Sequence, residues 1–431
     1  MARHPRSRAQ GRTRPRTAKP SKAAHRTLTI DRLGGAGDGL AGEIAIPFTL
    51  PGETIEAKVS GRKGTLAAIT AQSPARAVPP CVHFGRPGDG CGGCKLQHLA
   101  QDDYRAWKTA RLTDALARAG VEAPPPRAVW CAPATRRRAK LAFVPHGEGL
   151  AAGFRALGSD QVIPLAECHV LDPALFALSQ ALAPLIGLLP ARRPVDVLVT
   201  LTDTGADVDV PGADEAALDM DARVLAARLT DSLDLARLSL GGVPLAERRA
   251  PSLALGGVPV ALPPGAFLQA SEGGQAALTQ IVLDATKGAG TVADLFCGIG
   301  TFALPLSKQA RVVAAESDER AVHALSRAAK RAGRPVEAER RDLFTRPLLR
   351  DELARLDAVV LDPPRAGARA QAEALARDPV PRVTYVSCDP GTLARDASVL
   401  SAAYDLTALS LVDQFVWSPH IEAVAVFTRR S

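Results

Sequence analysis

The chain has no unbroken apolar run of membrane-spanning length. Two uncharged stretches in its 431 residues come near that length, from Pro173 to Ala191 and from Ser252 to Ser271. Pro184, Gly187 and Pro190 interrupt the first, and Gly256, Gly257, Pro259, Pro263 and Pro264 the second, so both read as core segments broken by turns. No hydrophobic signal opens the chain, and no internal repeat is visible, which argues against a repeat architecture. Acid is missing from residues 1 to 26, which hold nine Lys and Arg; a formal charge of +8 thereby becomes about −1 over the remainder. Pro5, Pro15 and Pro20 argue against an amphipathic transit helix there. Residues 1–25 therefore read as a disordered basic tail, either an arm that attracts phosphates or a plain solvated terminus. Cysteine is scarce and odd in number, seven in all, with Cys81, Cys91 and Cys94 close together. That pattern suits metal binding in a reducing, cytoplasmic setting better than a secreted disulfide framework.

The length exceeds one ordinary core and predicts several domains. Residues 26–73 show short β runs punctuated by glycine, among them Thr27–Ile30, Ile44–Phe48, Thr54–Val59 and Gly64–Thr70, which predicts a small OB-like barrel. Residues 74–264 read as a mixed, mostly β central domain that carries the cysteine cluster. Within it, Trp107, Leu112 and Leu116 mark a helix over 102–120, expected to pack on the catalytic domain. The cluster Arg136-Arg137-Arg138 opens a strand, where it would either meet RNA phosphates or guard an exposed strand edge. Over residues 265–431 strands and helices alternate, which predicts a doubly wound, Rossmann-like α/β sheet. Its last two runs, Leu406–Val412 and Ala423–Thr428, are expected to pair antiparallel at the edge.

The chemistry concentrates in that last domain. Asp294-Leu-Phe-Cys-Gly-Ile-Gly-Thr301 is glycine-rich and follows a strand, as a nucleotide-binding loop does, although Ala303 stands where a dinucleotide fingerprint favours a third glycine. Glu316 ends the next strand, where an acid can hold ribose hydroxyls, and Asp342 follows at the place of a residue near adenine. Successive acids at strand ends predict an adenosine cofactor. Asp362-Pro-Pro-Arg365 ends a further strand, and Cys388 follows another, within Ser387-Cys-Asp-Pro-Gly-Thr392. A thiolate there could add to carbon 6 of uracil and so make carbon 5 nucleophilic, after which a base must remove the carbon 5 proton.

These motifs, with Phe267-Leu-Gln-Ala-Ser271 before them, resemble those of the RNA 5-methyluridine methyltransferases, the ribosomal and transfer RNA uracil-carbon-5 enzymes. The similarity covers nearly the whole chain beyond the basic tail, and 26–73 is similar to that family's TRAM barrel. The resemblance implies S-adenosylmethionine as methyl donor, Cys388 as nucleophile and Glu422 as proton acceptor. It places Gln269, Phe296, Thr301, Glu316, Asp342 and Asp362 around the cofactor and uracil. Cys131 and Cys297 are left as structural.

Four cysteines, Cys81, Cys91, Cys94 and Cys168, could hold zinc or an iron-sulfur cluster, and their spacing does not choose between them. The resemblance, including Cys91-Gly-Gly-Cys94, implies a 4Fe-4S cluster, with Gly85 to Gly90 as a loop extension. The expected partner is RNA, ribosomal rather than transfer RNA, bound by a monomer with no membrane association. The competing readings are an exocyclic-amine RNA base methyltransferase using Asp362-Pro-Pro, and a non-catalytic RNA-binding iron-sulfur protein.

Overall fold

The structure is a computed structural model, and it describes residues 24–85, 90–189 and 194–430. The predicted basic tail lies outside the described residues except for its last two positions, and so does most of the predicted loop extension before Cys91. Two compact units are present. Residues 24–34 with 38–73 form one, and 35–37 with 74–430 the other.

The first unit is a six-stranded sheet whose two ends belong to one run of chain. Ala24–Thr29 pairs with Thr54–Ser60 at one end, and Arg32–Leu33 pairs with Gly39–Ala41 at the other. The Ile30 N–H donates to Glu53 O and the Asp31 N–H to Leu40 O, so that this run bridges both ends and closes the sheet into a small barrel. Alternating inward residues, Ile55, Ala57 and Val59, join Ile30 and Ile46 in its core.

The second unit holds two large sheets. A seven-stranded sheet runs from Val162–Pro164 through Arg138–His146 and Val195–Thr202 to Val243–Glu247. Helices Pro173–Ala181 and Ala183–Leu188 pack on it through Leu175, Leu185 and Ile186. The first uncharged stretch is thus a broken helical layer, stopped where Pro184 opens the second helix. Met220–Ser232 is a crossover helix joining the parallel strands Gly205–Val210 and Leu235–Leu240. The prediction of a mostly β region missed these helices, because their short apolar runs carry no clear period.

The C-terminal sheet has eight strands. Its parallel part has Thr291–Leu295 at the centre, flanked by Arg311–Glu316 and Ala358–Leu361, with Val336–Arg340 outside the former and Arg382–Ser387 beyond the latter. Glu422–Arg429 runs antiparallel to both Arg382–Ser387 and Tyr404–Asp413. The final hairpin is not the edge, however. Arg127–Trp130, distant in sequence, pairs parallel with Tyr404–Asp413 and covers it. Helix Gln101–Arg118 buries Leu112 and Leu116 in the same core as Val383, Tyr385 and Leu393. Among the described residues, no helix is long and apolar enough to cross a membrane.

Candidate active site

The strands run parallel on both sides of Thr291–Leu295, but the order in which the chain lays them down reverses there, and that switch point places a crevice at the strands' carboxyl ends. The loop lining it is tightly shaped. Phe296 adopts φ 63°, unusual for a residue with a side chain, and Gly298 and Gly300 follow at 53° and 96°. A Cβ on Gly300 would stand 2.5 Å from Leu325 Cδ1, so only glycine fits. Glu316, at the end of the neighbouring strand, accepts the Gly298 N–H at 3.1 Å and, through its other oxygen, the Ser317 N–H at 2.6 Å. The Phe296 and Phe344 rings lie 5.6 Å apart.

Asp294 is completely buried, and neither carboxylate oxygen has a hydrogen-bond partner; the Ala303 N–H approaches outside bonding geometry. Burial first, and then the charge of Asp362, pushes its acid well up. An orphaned carboxyl, an acid at a strand end and an aromatic pair suit the ammonium, ribose and adenine of an S-adenosyl group. Thr301 is half-buried just before the short helix Ala303–Leu306. Asp342 is exposed, and its carboxylate closes its own turn by accepting from the Phe344 N–H and the Thr345 hydroxyl, both at 3.0 Å. It borders a hollow with Ser317, Arg340, Phe344 and Arg346, outside the group around Cys388.

That group forms where three adjacent strands meet one end of the sheet. Asp362 follows Ala358–Leu361, Cys388 follows Arg382–Ser387, and Glu422 begins the antiparallel strand alongside. Ser387 pairs with Ala423, so the next step of the ladder sets Cys388 against Glu422. Burial raises Cys388 to about 11, helped by Glu422, Asp362 and Asp389. Glu422 is only 5% exposed. Burial, and next the Asp362 charge, pushes its acid to about 8. Asp362 itself is raised to about 7 by burial. Shifts of this kind in clustered carboxyls mark sites built to hold and pass protons.

The loop after Asp362 is locked from behind. Gly367 has φ 78°, and a Cβ there would lie 2.5 Å from an Arg395 guanidinium nitrogen and 2.6 Å from Asp396 Oδ2. Asp396 Oδ2 accepts the Tyr385 hydroxyl at 2.7 Å and the Ala368 N–H at 2.8 Å, and Arg395 donates to Ala366 O at 2.9 Å. Asp389 caps helix Pro390–Leu400 through the Gly391 and Thr392 N–H groups and pairs with Arg365 at 3.4 Å. Although burial would raise Asp389, these donors hold it below the usual carboxylate range.

A second brace comes from helix Gln101–Arg118. Lys108 is fully buried and pairs with Asp413, also donating to Phe415 O at 3.1 Å and His420 O at 2.8 Å. Tyr104 donates to Asp413 at 2.6 Å and accepts the Trp417 N–H at 3.0 Å. Together they fasten the segment leading to Glu422. Within that segment Gln414 Nε2 donates to Gln269 Oε1 at 2.6 Å and to Glu422 Oε1 at 3.3 Å. Gln414, Lys108 and Asp396 were not found by sequence reasoning. Lys108 leaves one legible signal, a lysine on the same helical face as Tyr104, Leu112 and Leu116.

The four cluster cysteines share one cavity of about 570 Å³ with Cys388, Arg365 and His420. Burial raises Cys91 and Cys94 to about 11 and about 12; hydrogen bonds with Gly93 and Gln97 respectively oppose the shift, and the charges of neighbouring cysteines add to it. Cys91 Sγ accepts the Gly93 N–H at 3.4 Å, and a Cβ on Gly92 would meet Arg155 O at 2.6 Å. Among the described residues, no three His, Cys, Asp or Glu side chains are drawn into a metal-holding group. Four convergent thiols whose thiolates repel one another nevertheless fit, as a donor set, a thiophilic cation or cluster. Cys297 is buried in the core. Cys131 is half-buried against the same core.

The basic cluster is largely committed inside the protein. Arg137 donates to Gln275 Oε1 at 2.7 Å, Arg138 stands 5.9 Å from the Phe267 ring centre, and Arg136 stands 5.8 Å from that of Phe415 while lining the cavity. Arg138–His146 lies between two other strands of its sheet, so the expectation of an edge guard is corrected: the arginines tie the central sheet to the segment before Glu272–Ala285.

A doubly wound sheet with a nucleoside crevice and a thiol facing an acid defines the class of S-adenosylmethionine-dependent methyltransferases. Comparison with known proteins narrows it. The family described as tRNA (Uracil-5-)-methyltransferase matches residues 342–430, and the methyltransferase small domain matches 261–380. An uncharacterized RNA methyltransferase of Caulobacter vibrioides is 44% identical, over 93% of this chain and 99% of that protein. The 23S rRNA (uracil(1939)-C(5))-methyltransferase RlmD of Chromohalobacter salexigens is 35% identical, over 93% of this chain and 89% of that protein. The crystal structure of the Pyrococcus abyssi tRNA (uracil-54, C5)-methyltransferase with S-adenosyl-L-homocysteine shares the fold. It has a TM-score of 0.72 at 22% identity, covering 94% of this chain and 100% of that one. The chain belongs to the RNA uracil-carbon-5 methyltransferase family, and it is an RNA methyltransferase.

Proposed function

We propose that the protein methylates carbon 5 of a uridine in 23S ribosomal RNA, through a covalent bond between Cys388 and carbon 6. The observation that carries this reading is the placement of Cys388 against Glu422 at the ends of paired strands, with Asp362 beside them. S-adenosylmethionine supplies an electrophilic methyl group, held by Gln269, Phe296, Thr301, Glu316 and Asp342, with Asp362 between donor and base. The Cys388 thiol loses its proton to solvent, and its sulfur bonds to carbon 6 while electrons move onto the carbonyl oxygen at position 4. Those electrons return through carbon 5, which would take the methyl group as its bond to the donor sulfur breaks and S-adenosylhomocysteine leaves. Glu422 then accepts the carbon 5 proton, the 5,6 double bond reforms, and the bond from sulfur to carbon 6 breaks to return the thiolate.

The target uridine must leave its stack to reach Cys388, which is cheapest in a loop. The closed barrel of the first unit serves as a TRAM module for RNA, and Cys81, Cys91, Cys94 and Cys168 hold a 4Fe-4S cluster in a structural or RNA-docking role. The enzyme works as a monomer in the cytoplasm. The 35% identity to the ribosomal RNA enzyme, against 22% to the transfer RNA enzyme over similar coverage, supports ribosomal over transfer RNA. Mapping 5-methyluridine in total RNA from cells with and without the gene tests the reading. Loss from 23S RNA is expected; loss only from transfer RNA would move the substrate, and no loss would overturn the proposal.

A further inference from the structure

Gln414 sits between the two polar groups on which the reaction above depends, and its amide has only one workable orientation. Its Oε1 accepts the Ala270 N–H at 3.0 Å, which forces Nε2 to the other side. There Nε2 donates to Gln269 Oε1 at 2.6 Å and to Glu422 Oε1 at 3.3 Å. A flipped amide would set a donor against the Ala270 N–H and an acceptor against both oxygens. Gln414 is 4% exposed, and the space it fills is made by a glycine: a Cβ on Gly274 would lie 2.8 Å from Gln414 Cβ and 2.9 Å from its Oε1. Gly274 is in the first turn of Glu272–Ala285, whose cap is Ser271, so the Phe267-to-Ser271 motif and this glutamine are built against each other.

We propose that Gln414 is a positioning residue for the proton-removal step: by donating to Glu422 it aims this carboxyl at carbon 5 and favours its ionised form, and it turns the Gln269 amide so that its N–H group is free to face the substrates. The proposal rests on the uracil-carbon-5 reading of the site. The titratable groups around Glu422 are Asp362, from the neighbouring strand end, which acts on it directly, Cys388, which stands opposite it, and Asp389, which opens the next helix and acts on Cys388. All three are acidic groups. Among the described residues, Gln414 donates the one side-chain hydrogen bond to Glu422 that favours its charged form, in a pocket where burial and Asp362 favour the neutral one. Loss of that donor moves Glu422 further toward the neutral acid, which cannot take the carbon 5 proton.

The test is Gln414→Met, of similar length but with no donor, with Gln414→Leu as a second variant in case the first fails to fold. Single-turnover methylation of a uridine-containing RNA is followed against pH, alongside melting temperature. The expected result is an upward displacement of the ascending limb by about one pH unit or more, with slower breakdown of the covalent RNA adduct and a melting temperature near the parent's. A lower melting temperature with an unmoved profile would make Gln414 a packing residue and overturn the proposal. Failure of the parent protein to form any RNA adduct would instead remove the underlying reading, so the two failures are told apart.

Discussion

Cys388 and Glu422 stand opposite each other one position past the end of an antiparallel ladder: Cys388 directly follows Ser387, whose partner is Ala423, and Glu422 directly precedes that partner. A nucleophile and a base that serve opposite ends of one reaction thereby sit one residue beyond and one residue into paired strands, so the sheet anchors both. Their separation is fixed by the sheet, and only the side chains need to adjust when a base enters.

Cys388→Ala removes the nucleophile without disturbing the strand that carries it. Methylation should fall by at least about 10⁴-fold, while melting temperature and S-adenosylhomocysteine binding stay near the parent's. Activity retained within tenfold would exclude a thiol mechanism.

Glu422→Gln should separate attack from release. Thiol addition and methyl transfer remain possible, but proton removal does not, so an adduct with ordinary uridine RNA should accumulate as a denaturation-resistant band. Absence of the band with normal turnover would remove Glu422 from its role.

Both groups are shifted upward and both act deprotonated, Glu422 from about 8 and Cys388 from about 11. The reactive fraction therefore grows with pH. Single-turnover rates should rise between pH 7 and pH 9, and a flat or falling profile over that interval would contradict the assignment.

Lys108 tests the brace behind Glu422. Lys108→Met leaves Asp413 buried without its counter-charge, held only by the Tyr104 hydroxyl, and frees the carbonyls of Phe415 and His420, which should cost about 3–5 kcal/mol in urea unfolding. The double change with Asp413→Leu should recover much of that loss. An additive result would show that the pair does not act as a unit.

Much of this site was legible in the chain because each motif sits at a strand end, where a short β run followed by glycine, proline or aspartate is easy to read. The doubly wound order, the Glu316 strand end and the place of Cys388 follow from that regularity. What was hidden depends on contacts between distant segments. Arg127–Trp130 looks like part of the central region until it pairs with Tyr404–Asp413, and Gln414 is an ordinary polar residue until Gly274 makes room for it. Lys108 shares a helical face with Leu112 and Leu116, but nothing nearby in the chain announces its partner Asp413, which lies 305 positions away. The arginines at 136–138 read as surface charge because nothing local shows the aromatic rings and carbonyls that receive them.

The measurement closest to the central claim is trapping with RNA in which the target uridine is replaced by 5-fluorouridine. Fluorine at carbon 5 leaves no proton for Glu422 to remove, so the bond from Cys388 to carbon 6 cannot be broken by the normal route. In the presence of S-adenosylmethionine, a stable one-to-one protein-RNA adduct should form, and mass spectrometry should place the modified nucleotide on the peptide containing Cys388. Turnover of ordinary uridine RNA with no such adduct, or an adduct that persists in Cys388→Ala, would contradict the account.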